Sequence, residues 1–171
     1  MNPEHFYNLG VRLVEAVADA LAAEPLSGGR PGRAGVTWGE IALDDCDCGI
    51  LALSMGRRAD YAQFPVEISS TALRSNAQGQ CATSPMQDYN LHLARCQPTV
   101  GNRGETPLVV ELYEAARIAV VDTEVVRCVL ASELRAMEDE NLILNSVVNA
   151  SQPVGPEGAC GGFSTPFIIG L

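Results

Sequence analysis

The stretch Leu43–Met55, "LDDCDCGILALSM", decides how the chain is read. Asp44, Asp45 and Asp47 crowd around Cys46 and Cys48, and an apolar run follows at once. Three readings compete: a metal site, a reactive thiol, and the entry to an ordinary strand. Taken with the residues before it, the segment Val36–Met55 alternates as a strand does. Cys46, Cys48, Ile50 and Ala52 share one face, and Asp45, Asp47, Gly49 and Leu51 share the other.

The spacing argues against a metal. Zinc sites draw on cysteine pairs two to four residues apart, with histidine or further cysteines to complete a tetrahedron. Here the pair is separated by one residue. Cys81, Cys96, Cys128 and Cys160 are isolated from one another, and His5 and His92 are the only histidines. A nucleophilic cysteine needs a base and a group that orients the base. His92 is a candidate base, but no residue completes the set. The acidic pairs Asp44/Asp45 and Glu138–Asp139–Glu140 read as solvated ends of elements. The sequence therefore predicts no enzyme, no cofactor and no bound metal.

The strand reading finds a partner downstream. In "DYNLHLARC" (Asp88–Cys96), Tyr89, Leu91, Leu93 and Arg95 alternate with Asn90, His92, Ala94 and Cys96. An antiparallel pairing of Cys48–Met55 with Tyr89–Cys96 puts Cys48 opposite Cys96. Facing Cβ atoms lie about 4.5–5.5 Å apart, so Cys48 and Cys96 are expected as neighbouring thiols or a disulfide. A slip of two residues would put Cys46 there instead.

Working outward, the chain opens on a helix. Asn2 and Pro3 suit its start, Phe6, Leu9, Leu13, Val17 and Leu21 form its apolar stripe, and it stops near Pro25. A Gly/Pro/Arg loop follows, Leu26–Gly35. Residues 56–85 lack periodicity and read as a long loop or arm, with "FPVEI" as a short edge strand inside it. Thr106 and Pro107 begin a helical region. Its stripe runs through Leu108, Leu112, Ala115 and Ala119 and continues through Val126, Leu130, Leu134 and Met137. Asp122–Thr123 lies inside the pattern and reads as a cap for a second helix, so a bend is expected there. Cys128 is expected in the core. Two tail strands, Asn141–Val148 and Ser164–Leu171, flank the loop 149–163. The order predicts a single α+β domain over residues 1–171, a mostly antiparallel sheet of about four or more strands with the helices packed on it.

Charge narrows the function. The chain of 171 residues carries a net charge of −10, and all 11 of its basic residues are Arg. Without Lys there is no P-loop and no Schiff base. A surface this acidic repels phosphates, so DNA can be surrounded but not gripped. No apolar run is long enough to span a membrane, and the N-terminus lacks a secretory pattern, which predicts assembly in a cytoplasm.

The sequence resembles a known family. A leading helix, then "TWGEIALDDCDCG", a strand closing on "ARCQP", the helix "VVDTEVVRCVLASELR" and the ending "QPVGPEGACGGFSTPFIIGL" are similar to head-to-tail connector proteins of long-tailed, siphovirus-type actinobacteriophages. Among these the chain looks most like the tail terminators. The resemblance implies a non-enzymatic virion protein at the head–tail junction, a homo-oligomeric ring, usually a hexamer, that caps the tail tube and ends its polymerisation. Its implied partners are further copies of itself, the tail tube protein and the head stopper or connector protein, with genomic DNA passing through unbound and no membrane involved. Residues expected at subunit or partner interfaces are Arg57, Arg58, Tyr61, Phe64, Arg74, Glu157 and Phe163. The competing readings are another neck component, such as a stopper or head-completion protein, and a small Cys-dependent or metal-binding enzyme.

Overall fold

The computed structural model describes residues 4–39, 49–67, 85–99, 106–157 and 159–171. Its elements in chain order are α1 (His5–Ala23), β1 (Arg33–Trp38), β2 (Ile50–Gln63), β3 (Val66–Glu67), β4 (Pro85–Cys96), α2 (Val109–Asp139), β5 (Asn145–Val148), β6 (Gln152–Glu157) and β7 (Cys160–Gly170). The domain is α+β, with an N-terminal helix, a long central helix and a mostly antiparallel sheet. The sheet runs β1-β2-β4-β7-β5, with β3 added to β2 and β6 added to β7.

The alternation of small and large residues sets the central register. Ile50 pairs with Ala94, Leu51 with Leu93, Leu53 with Leu91 and Met55 with Tyr89. This is the expected antiparallel register of the two strands. On the far side of β4, Leu93 pairs with Phe163, Leu91 with Thr165 and Tyr89 with Phe167. One face of the sheet thus carries Leu51, Leu53, Leu91, Leu93, Phe163 and Phe167. They form one buried cluster with the stripe of α1 and with Val126, Leu130, Leu134 and Met137 of α2. Both helices therefore lie on this face. Tyr89 stacks on Phe167 with centroids 5.1 Å apart, and its hydroxyl donates to the Phe6 carbonyl at 2.8 Å. That bond satisfies a polar atom buried where water does not reach.

Several boundaries differ from the sequence reading. Residues 36–55 do not form one strand: β1 and β2 are separate parallel neighbours, with Arg33 beside Ile50 and Trp38 beside Met55. Gly39 and Gly49 interrupt the extended run with φ of 84° and 92°, left-handed values that glycine reaches without steric cost. The expected irregular arm begins later than residue 56, because β2 continues to Gln63 and still pairs with β4 as far as Asp60 opposite Pro85. Val66–Glu67 is the short edge strand anticipated in "FPVEI". Part of the expected loop 149–163 is strand β6.

The central helical region has no break at Asp122. Asp122 is drawn into an ion pair with Arg95, and the Thr123 hydroxyl donates back to the Ala119 carbonyl at 2.7 Å, so neither residue caps a new helix. The helix begins at Val109 rather than at Pro107. There the Leu108 amide donates to Glu111 Oε2 at 2.9 Å, which satisfies one of the exposed N-terminal amides. At the other end Asn141 takes φ 58°. The Leu142 amide reaches the Met137 carbonyl and the Asn141 amide the Glu138 carbonyl, a Schellman closure with Asn in the left-handed position. Cys128 is exposed rather than in the core, because α2 turns that side away from the sheet. The expected cap residues Asn2 and Pro3 lie outside the described residues.

Candidate interaction surface

A buried polar knot divides α2 into two halves. Arg95 Nε donates to Asp122 Oδ2 at 2.9 Å, with side-chain exposures of 12% and 1%. Asp122 Oδ1 accepts from the Gly28 amide at 3.0 Å, and Arg95 Nη2 donates to the Gly29 carbonyl at 2.7 Å. The carboxylate and the guanidinium are thus each used twice. The knot ties together the end of β4, the middle of α2 and the loop after α1. Paired and hydrogen-bonded charges are the form in which ionised groups tolerate burial.

C-terminal to the knot, α2 lies on the sheet. Arg12 of α1 clamps this half, donating to Glu133 at 3.1 Å and to both oxygens of Glu140 at 2.6 and 2.9 Å. N-terminal to it, the helix leaves the core. Among the buried residues of α2, Asp122 is the first, followed by Val126, Leu130, Leu134 and Met137. Leu108, Val109, Val110, Leu112, Tyr113 and Val120 stand 47–73% exposed.

The exposed residues are ordered. Val109, Tyr113, Ala116 and Val120 recur at i, i+4, i+7 and i+11, which places them in one stripe along the helix. Leu112 and Ala119 lie on the adjoining side and overhang the end of the sheet. Between them and the strands runs a groove of ≈680 Å³, lined also by Pro98, Thr99, Pro107 and Val154. Among the described residues, neither the stripe nor the lining of the groove holds a charged side chain. A smaller cavity of ≈260 Å³ beside the knot is lined by Ile118, Leu93 and Phe163 together with Arg95 and Asp122.

Residues singled out from the sequence scatter. Arg57 faces Asp88 at 3.5 Å, and Arg58 lies over the Phe6 ring, 4.9 Å from its centroid. Tyr61 and Phe64 meet edge to face at 5.3 Å and pack over Gly170. Phe163 is 6% exposed and belongs to the core, so it is not a surface contact. Glu157 ends β6. Arg74, Cys46 and Cys48 lie outside the described residues. Cys96 is exposed at the end of β4, and its expected neighbour Cys48 lies outside the described residues. Cys160 is disulfide-bonded. Cys96 and Cys160 are register neighbours on β4 and β7.

The face of the sheet away from the helices is small and polar. Ala52 pairs with His92 and Ser54 with Asn90, and His92 pairs with Ser164 on its other side. Burial pushes the His92 imidazole below its ordinary value, since desolvation disfavours the cation. Asp88 Oδ1 and Asn90 Oδ1 are buried there without a hydrogen bond. Among the described residues no three His, Cys, Asp or Glu side chains gather as metal ligands would, and no helix is long and apolar enough to cross a membrane.

Periodicity did not single out the exposed stripe Val109, Tyr113, Ala116 and Val120; it followed the adjoining row Leu108, Leu112, Ala115 and Ala119. The spacing joins Leu108 and Leu112 to Val126 and Leu130 in one stripe, but Leu108 and Leu112 stand exposed. The one available signal was Asp122 within an apolar run, which marks where the buried face acquires a charge. Compared with protein-family models and with curated proteins, the sequence matches none.

Proposed function

We propose that this chain is a structural protein of the phage neck, a tail terminator that forms a ring on the tail tube, ends its growth and joins tail to head. The observation that carries the reading is the N-terminal half of α2. It is a helix whose apolar side chains are covered by nothing among the described residues. Exposed apolar patches of this kind mark protein–protein contact. The rest of the molecule is compatible with that role. A net charge of −10 suits a passage that DNA must traverse without sticking. A disulfide at Cys160 suits a protein that ends up outside a reducing cytosol. The resemblance along most of the chain supplies the specific assignment.

Electron microscopy of the purified protein and of particles decorated with an antibody against it tests the reading. The expected result is a closed ring from the protein alone and label at the head–tail junction. Label at the head portal without a ring would move the assignment to another connector component. A persistent monomer, with no label on particles, would end it.

A further inference from the structure

We infer that the exposed stripe of α2 docks into the groove beside α2 of a second copy of the same chain, so that copies join head to tail. The inference rests on the ring reading above and names the contact that would build it.

Three observations select a second copy as the occupant. The first is area. The stripe residues Val109, Tyr113 and Val120, each 62–73% exposed, present on the order of 350 Å² of apolar surface, within the range of the largest patch on a typical monomer and nearly half of the roughly 800 Å² that one partner gives to a standard interface. The second is charge. Two chains of net charge −10 repel over most of their surfaces, and among the described residues the stripe and the groove carry no charge. The neighbouring Glu114 is neutralised by Arg117 at 2.6 Å. The third is shape. The stripe is convex, a row of Val109, Tyr113 and Val120 on a helix. The groove, ≈680 Å³, is concave and lined by Pro98, Pro107, Leu112 and Val154. Tyr113, at 73% exposure, is the expected anchor, since large amphipathic side chains seated in pockets dominate such contacts.

A knob and a hole on different surfaces of one chain make a heterologous interface. Each copy then offers a knob to one neighbour and a hole to the other, and the assembly closes into a ring or continues as a filament. A stripe meeting a stripe would instead be isologous and stop at two copies.

Light scattering coupled to size exclusion separates these cases. The wild-type chain is expected to run as an assembly of several copies. Tyr113→Glu or Val120→Glu, which spoil the knob, should each run at the mass of one chain, and so should Thr99→Glu, at the rim of the groove. An equimolar mixture of Val120→Glu and Thr99→Glu restores one good knob facing one good hole. It should give a two-copy species and nothing larger. All three positions are exposed, and unchanged circular dichroism confirms that each variant folds; Val109→Glu replaces a knob variant that does not, and Thr99→Arg the groove variant. Assembly that survives both knob substitutions overturns the inference, as does a mixture that stays at one chain. So does a groove variant that still pairs, because that contact would be stripe to stripe. A ring at the head–tail junction built equally well by the knob variants would sink this interface and leave the neck assignment standing. Head-to-tail assembly lost in these variants, from a protein absent from particles, would do the reverse.

Discussion

Arg95 at the end of β4 reaches Asp122 in the middle of α2, with Nε 2.9 Å from Oδ2 and the carboxylate almost wholly shielded from water. This contact separates the half of α2 that packs on the sheet from the half that leaves it. Truncating either partner strands a buried charge. Asp122→Ala and Arg95→Ala should each lower stability by about 3–5 kcal/mol, measured as the shift in urea midpoint at constant m-value. The double variant Arg95→Met/Asp122→Leu should lose much less than the two single losses combined, because no unpaired charge remains. Equal, additive losses would mean that the two groups act separately.

Gly162 has no room for a side chain. A Cβ there would lie 1.8 Å from the Leu93 carbonyl oxygen, backbone that cannot yield without opening the β4–β7 pairing. Gly162→Ala is therefore expected to cost on the order of 4 kcal/mol or to prevent folding. Gly35, on the edge strand β1, would place its Cβ in open space, and Gly35→Ala should be neutral or stabilise by about 0.5 kcal/mol. Thermal melts of the two variants side by side make the comparison.

His92 gives the fold a pH dependence of known sign. Its imidazole titrates below the ordinary value of 6.5 because burial disfavours the cation. The unfolded chain therefore takes up a proton at a higher pH than the folded one does. The neutral ring contributes its full stability above about pH 6.5. That contribution is lost as pH falls from there toward the folded value. Urea titrations between pH 7.5 and 5.5 should show stability falling in wild type, with a shallower fall in His92→Gln. Identical slopes would remove His92 from the account.

The cysteines differ in chemistry. Without reductant, alkylation followed by peptide mass spectrometry should label Cys128, an exposed thiol, and leave Cys160 unlabelled in its disulfide. The hydrogen bond to Glu124 raises the Cys128 thiol above its ordinary value, which lowers its thiolate fraction near neutral pH. Glu124→Gln should thus speed labelling at Cys128 several-fold. An unchanged rate would show that the carboxylate does not hold the thiol.

Local sequence was enough to determine the centre of the domain. The two-residue alternation in Ile50–Met55 and Tyr89–Ala94 specified both the buried face and the register, because a slip of one residue would turn every Leu to the other side. The three- and four-residue spacing from Phe6 to Leu21 did the same for α1. Tertiary structure alone decided the rest. β1 lies parallel to β2, a partnership between segments that carry no mark of each other. Asp122, a plausible cap by local chemistry, was taken by Arg95 from 27 residues away in sequence. The two halves of α2 have the same apolar spacing, yet one is buried and the other bare. Periodicity records that a helix has an apolar face, but burial depends on whether another surface reaches that face. Here the sheet ends at the Arg95–Asp122 knot, and the helix continues past it.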